Sequence, residues 1–291
     1  MKKNLTYLIL SACLLLVSQT PAQKREKTIW KGATGDYQIT WTTAEISARS
    51  SSAQVFSAKA LAQENYQLTV KDARENNSKL TAFERNFKVL SIVGSLVSLE
   101  DNFYSNYQGS AHPSGETRYT AIDLSKSGKV GYSSFLEGLD MNLNALGLTA
   151  KLTDYFPATE IYKALMADAL IQKALGEKRP KTLAELLKLF ADGEGTVAAG
   201  RTCARLSEDL LTRFAFHHVE GDKVAVRLGL SGLGPCRENL TQIGLLLPIP
   251  DALRIAFNFA ETNKEGFLNK DAKRLSGGQQ TTITFSVKKD K

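Results

Sequence analysis

The sequence predicts an α+β fold: an antiparallel β-sheet with helices inserted in the middle of the chain. Three observations carry that expectation. Alternating segments rich in aromatic and β-branched residues run from Tyr37 to Leu124, apolar residues at helical spacing from Ile161 to Phe190, and alternation returns from Arg213. The chain has 291 residues, 43% of them hydrophobic and 23% charged, which is enough apolar material for a proper core.

Lys2 and Lys3 open a basic segment, Leu5 to Val17 is apolar, and Ser18 to Ala22 is small and polar with Thr20 and Ala22 placed for cleavage before Gln23. The apolar run is shorter than the roughly 20 residues a membrane helix needs. Residues 1–22 therefore read as a secretory signal peptide. Residues 23–291 read as a single domain with a short charged leader (23–29) and a polar C-terminal tail from Thr262. A rival signal lies inside the same peptide. Leu10-Ser11-Ala12-Cys13 matches a lipoprotein box, which would acylate Cys13 and hold the protein at a membrane, although the apolar Leu14 to Val17 directly after it is unusual for such a site. The expected location is secreted or periplasmic, with a membrane anchor only if Cys13 is lipidated.

In the body of the chain, Tyr37 to Thr42 alternates polar and apolar residues and predicts a strand, and Tyr66 to Val70 reads likewise. Asn76-Asn77-Ser78 marks a turn. Phe83 to Leu99 predicts one long strand or two, with Gly94-Ser95 permitting a bulge or bend. Arg118 to Leu124 follows as a strand and Ser125 to Gly128 as a turn, so an antiparallel meander is expected. Ile161, Tyr162, Leu165, Met166, Ala169 and Leu170 share a helical face, and Pro180 interrupts it. Thr182-Leu183-Ala184-Glu185 has the form of a capping box before Leu186, Leu187 and Phe190, and Gly193 and Gly195 end that helix. Ser207 to Arg213 predicts a short helix. Arg213 to Val219 and Lys223 to Leu230 predict a hairpin through Glu220-Gly221-Asp222. Residues 229–236 read as a loop and Thr281 to Val287 as a last strand.

The net charge of +7 falls by two when Lys2 and Lys3 leave with the signal peptide. The remaining charges are scattered, with no run of five like charges, which argues against nucleic acid and for an ordinary solvated surface mildly attractive to anionic envelope polymers. Two cysteines remain, Cys203 and Cys236, and an oxidising compartment permits one disulfide between them; two buried thiols are the other reading.

Few residues carry a chemical signature. There is no Gly-x-Ser-x-Gly motif and no phosphate loop. His112 sits in a Gly-Ser-Ala turn beside Tyr104 and Tyr107, where it either contacts a ligand or bonds the turn's backbone. His217 and His218 are neighbours on a strand, so they are expected on opposite faces with one toward solvent, a poor metal site. Asp123 to Gly128 resembles the start of a calcium loop but has Ser134 where the bidentate carboxylate belongs, which leaves a tight turn as the reading. Glu100 and Asp101 are adjacent carboxylates at an expected strand end, read as a solvated turn or, less simply, as acid/base groups on a glycan. Phe103, Tyr104, Tyr107 and Tyr119 cluster along the same hairpin, as sheet packing or as a binding surface. No metal and no cofactor is indicated.

One resemblance extends beyond composition. Tyr107, Gly109, Ala111 and His112, then Asp123, Leu124, Gly128 and Lys129, follow the order of a signature in the RsiV-type extracytoplasmic domain family. Ser110 replaces a glycine and Ile122 a phenylalanine of that pattern. A second block is similar: Gly221 to Val226, Leu233-Gly234-Pro235 with Cys236 in place of an aromatic, and Leu247-Pro248-Ile249-Pro250. Members of the family form outer portions of anti-sigma factors or sit beside peptidoglycan deacetylase domains, and one binds lysozyme. The resemblance implies a non-catalytic binding domain that recognises a cell-wall hydrolase such as lysozyme, or a cell-wall glycan. It implies binding residues at Tyr104, Tyr107, Ser110, His112, Pro113 and Pro235, with the two blocks at one end of the sheet. The alternative is an envelope hydrolase acting on glycan through His112 with Glu100 or Asp101.

Overall fold

The computed structural model describes residues 26–126, 148–199, 202–231, 238–239, 241–262, 264–269 and 280–285. The expected signal peptide with Cys13, the Ser127-Gly128 end of the turn, Pro235 and Cys236 all lie outside the described residues.

Four short strands come first, β1 (Thr28–Thr34), β2 (Tyr37–Thr42), β3 (Ile46–Arg49) and β4 (Gln54–Ser57), paired in that order into an antiparallel sheet. Helix α1 (Ala58–Glu75) follows. It overturns the expected strand at Tyr66 to Val70. Tyr66, Thr69 and Val70 favour strands, but five residues are too few to set the period: across the whole segment Ala58, Leu61, Ala62, Asn65, Thr69 and Ala73 are buried, on one helical face at i, i+3, i+4 and i+7 spacing. The Ser57 hydroxyl caps the helix by accepting the Ala60 N–H at 3.0 Å. The longest described helix thus precedes the main sheet, and the expectation of helices confined to the middle does not hold; α5 (Arg254–Glu261) also falls near the end.

The main sheet is the expected meander. β5 (Leu80–Val93) and β6 (Leu96–Tyr107) are two strands, turned by Gly94-Ser95 rather than bent there. Gly94 adopts φ +57°, which only glycine reaches easily in a two-residue hairpin turn. β7 (Ser114–Asp123) pairs with β6 without a register shift. On the other side of β5 lie β14 (Phe267–Leu268) and β15 (Thr281–Thr284), the latter being the expected last strand.

The middle of the chain supplies α2 (Ala158–Ala167), α3 (Ala169–Leu175) and α4 (Leu183–Ala191). Asp168 divides the first helical stretch, its carboxylate accepting the Leu170 and Ile171 N–H groups. Thr182 caps α4 as expected, accepting the Glu185 N–H at 3.2 Å. Ser207 to Arg213 contains a 3-10 turn at Glu208–Leu211. β10 (Phe214–Glu220) and β11 (Lys223–Gly229) form the expected hairpin, joined by β13 (Gln242–Pro248). A small fourth sheet holds β8 (Thr196–Ala199), β9 (Thr202–Arg205) and β12 (Glu238–Asn239).

The main sheet is buried on both faces. One carries Phe87, Val89, Val97 and Leu99 against Ile39, Trp41, Phe56 and Leu61 of the first sheet and α1. The other meets β10, where the Ser91 hydroxyl donates to the Phe216 carbonyl at 2.9 Å and the Phe216 N–H donates to the Ser98 hydroxyl at 3.0 Å. Beyond β10 and β11, Phe214, Phe216, Val224 and Val226 pack on Ile161, Leu165, Leu186 and Phe190 of the helices. The architecture is a mixed α+β fold built on antiparallel sheets. Among the described residues no helix is long and apolar enough to cross a membrane.

Candidate functional site

Arg85 is the starting point. In β5 it occupies the same parity as Phe83 and Phe87, so strand alternation sends a guanidinium into the layer beneath α1, where it is 3% exposed. Burying a charge requires partners. Asp101, buried at the same depth in β6, takes two of its donors: Nε reaches Oδ1 at 3.1 Å and Nη2 reaches Oδ2. Nη1 donates to Oδ1 of Asn65 on α1, and the guanidinium lies 4.9 Å from the Phe87 ring centre. That contact orients the Asn65 amide. Its oxygen is spent on Arg85, and its Nδ2–H is buried with no acceptor among the described residues.

A cleft of about 240 Å³ opens beside this cluster, lined by Asn65, Arg85, Asp101, Phe103, Ser114, Glu116 and Arg118. Their placement follows from register: Arg85, Phe103 and Glu116 are direct cross-strand partners, and Asp101 pairs with Arg118 one step along the same face. Arg118 Nη2 donates to Glu116 Oε2 at 2.6 Å. Two arginines thus face two carboxylates, and the cleft is charge-balanced. A second cleft of about 250 Å³ lies on the opposite face at the same level, lined by Asn102, Phe103, Gly115, Glu116, Thr117, Leu230 and Thr241. Both are smaller than the roughly 300–1,000 Å³ of drug-sized pockets and match residue-sized groups.

The residues singled out from sequence fall into two groups. Tyr107 packs at the rim of the Ala73, Leu80 and Phe83 cluster. Ser110 secures the hairpin tip, its hydroxyl donating to the Tyr107 carbonyl at 2.9 Å and to Asn106 Oδ1 at 3.2 Å, over Gly109 at φ +81°. Tyr104 is 40% exposed, and His112 and Pro113 are exposed at the tip. His112 is not the buried turn-holding group that one reading expected. His112 stands two residues before Ser114, which lines the rim of the cleft, and Asp101 lies four residues, roughly 13 Å, further along the β6–β7 ladder from the Ser105–Ser114 pair.

Two further readings are corrected. Glu100 and Asp101 lie within β6, not at a solvated turn, and point to opposite faces. Glu100 meets Lys88 Nζ at 3.4 Å and accepts from the Tyr119 hydroxyl at 3.4 Å; burial and then the Glu100 charge raise the Tyr119 pKa well above its ordinary value. His217 and His218 are both buried, with neither toward solvent. A register shift in β10 between Phe216 and Val219 breaks the alternation and brings their Nδ1 atoms within 2.7 Å. His218 Nε2 lies 2.8 Å from Glu220 Oε1, so a consistent pattern has His218 donating to Glu220 and His217 donating to His218. Each Nδ1 then occupies the other, and no cluster of three or more metal-ligating side chains occurs among the described residues. The Asp123 carboxylate likewise serves its own turn, with Oδ1 accepting from Ser95 Oγ at 2.9 Å and Ser125 Oγ at 2.6 Å.

Sequence reasoning missed Asn65, Arg85, Glu116 and Arg118. Arg85 and Asp101 did leave a signal, as two opposite charges each standing at an inward position between apolar residues of its strand. Compared with known proteins, the chain matches no family model and no curated protein.

Proposed function

We propose that this chain is a secreted or envelope-associated, non-catalytic binding domain of the RsiV type, and that the cleft between α1 and β7 is its recognition seat. The observation that carries this reading is the buried Asn65 N–H without an acceptor in a charge-balanced cleft. Such a donor costs about 1–3 kcal/mol until a ligand acceptor reaches it. Asp101 and Glu116 are held in ion pairs with Arg85 and Arg118, an arrangement for recognition rather than proton transfer. The hydrolase alternative has less support, because Glu100 and Asp101 diverge and both Asp101 oxygens are engaged by Arg85.

The partner proposed is a lysozyme-like muramidase, with a cell-wall glycan as the second possibility. The test is retention of purified lysozyme and of soluble peptidoglycan fragments on the immobilised chain, beside Asn65→Leu. Micromolar retention of either, weakened in the variant, is expected. Retention of neither would remove the recognition reading; equal retention by the variant would move the seat elsewhere.

A further inference from the structure

Strand β7 is an edge of the main sheet, and the two clefts flank one stretch of it. The direction of its backbone groups follows from its far end. Asp123 N–H donates to the Leu148 carbonyl at 2.7 Å and Ala150 N–H donates to the Ala121 carbonyl at 2.9 Å. Residues 121 and 123 therefore point their backbone away from β6. The β6–β7 register is unbroken back to Ser114, so Gly115 and Thr117, of the same parity, also point outward. Among the described residues none bonds to their N–H or C=O groups.

The side chains complete the pattern. Ser114, Glu116 and Arg118 line the cleft under α1, Gly115 and Thr117 line the cleft on the opposite face, and Phe103 and Glu116 border both. Successive side chains of an extended strand point to opposite faces. A strand laid along Gly115–Thr117 would send one side chain into each cleft while its main chain bonds the open edge, which is how strand addition divides affinity from specificity.

We propose that the β7 edge at Gly115–Thr117 receives an extended segment of a partner polypeptide as an added strand. The Asn65 cleft takes a neutral amide side chain, asparagine or glutamine, and the opposite cleft takes a small one. The amide is chosen by charge. Arg85 with Asp101 and Arg118 with Glu116 already cancel, so a charged side chain would be buried without compensation. An amide oxygen accepts from Asn65 Nδ2, and its nitrogen donates to Glu116. One contact must yield: Arg213 reaches Glu116 at 3.3 Å. It is a partly exposed pair of small worth, and Arg213 keeps Asp209 at 2.6 Å and Ser231 at 3.1 Å.

This inference deepens the recognition reading and rests on it. The experiment is selection of short linear peptides from a phage-displayed library on the mature chain, followed by amide exchange with a selected synthetic peptide. Enrichment of asparagine or glutamine next to a small residue is expected, with slowed exchange of the Gly115 and Thr117 amides. Thr117→Pro removes one outward N–H together with the Thr117 hydroxyl bond to Asn102 Oδ1 at 2.7 Å; measured against Thr117→Ala, which loses the same bond but keeps the N–H, it should weaken peptide binding about tenfold. If that variant does not fold, exchange in the unmodified chain decides. No selected peptide, no amide or small-residue preference, or protection confined to other segments would overturn strand addition. Lysozyme or glycan retention without peptide binding would sink this inference alone; absence of all three would sink the recognition reading with it.

Discussion

Replacing Asp101 with leucine leaves the Arg85 guanidinium buried beneath α1 with Asn65 Oδ1 as its remaining hydrogen-bond acceptor among the bonds described above. Both side chains of the pair are under 5% exposed, at 4% and 2%, so water cannot replace the carboxylate without opening the α1 layer. Removing one partner of a buried pair costs about 3–5 kcal/mol. Arg85→Met strands the Asp101 carboxylate in the same way and should cost a similar amount. The double variant behaves differently. It carries no buried charge, fills the layer with apolar atoms, and leaves the Asn65 amide oxygen as its new unsatisfied group, a cost of about 1–3 kcal/mol. The singles should therefore each lower the melting temperature by roughly 6–10 °C, taking about 2 °C per kcal/mol for a chain of this size, and the double by less than either. Urea unfolding of all four proteins closes the cycle. Additive losses, or single losses below about 1 kcal/mol, would show that the pair is solvated and that the cleft chemistry built on it is wrong.

His112→Ala should change stability by no more than about 0.5 kcal/mol, because the side chain is exposed at the hairpin tip; a loss of several degrees in melting temperature would return His112 to the scaffold. Stability should fall as pH rises above about 10. Burial, then Glu100, raises the Tyr119 pKa, and burial, then Asp123, raises that of Tyr155, so the unfolded chain releases these protons first and the native state loses ground from the unfolded value upward. Phenolate absorbance against circular dichroism tests this; ionisation of every tyrosine before unfolding would contradict it. A Cys203–Cys236 disulfide is expected from intact mass with and without alkylation, two alkylated thiols in the unreduced protein being the contrary result. Cys203 is buried in β9, and β12, which starts two residues after Cys236, pairs Asn239 beside it. Reduction should then cost roughly 3–4 kcal/mol.

Local signals were enough for much of the framework. Glu220-Gly221-Asp222 specified its hairpin, Thr182 its helix cap, and the alternation of Phe83 to Leu99 the strands on either side of Gly94. These features depend on residues a few positions apart, so a linear reading reaches them. It failed at Tyr66 to Val70, where β-forming side chains inside a long amphipathic segment became α1 because its apolar stripe could be buried on the sheets. It failed again at His217-His218, where one register shift cancelled the alternation on which the reading relied. The cleft lay further out of reach. Asn65, Arg85, Asp101 and Arg118 come from a helix and three strands, and only strand register makes Arg85, Phe103 and Glu116 neighbours. The sequence by itself determined the strands of the meander on either side of Gly94, the capped helix α4 and the β10–β11 hairpin, because short-range periodicity and turn chemistry decide those. The tertiary structure alone decided that Arg85 meets Asp101, that Asn65 is left with a spare N–H, and that β7 remains an edge, because pairing between distant segments depends on how whole layers bury their apolar faces.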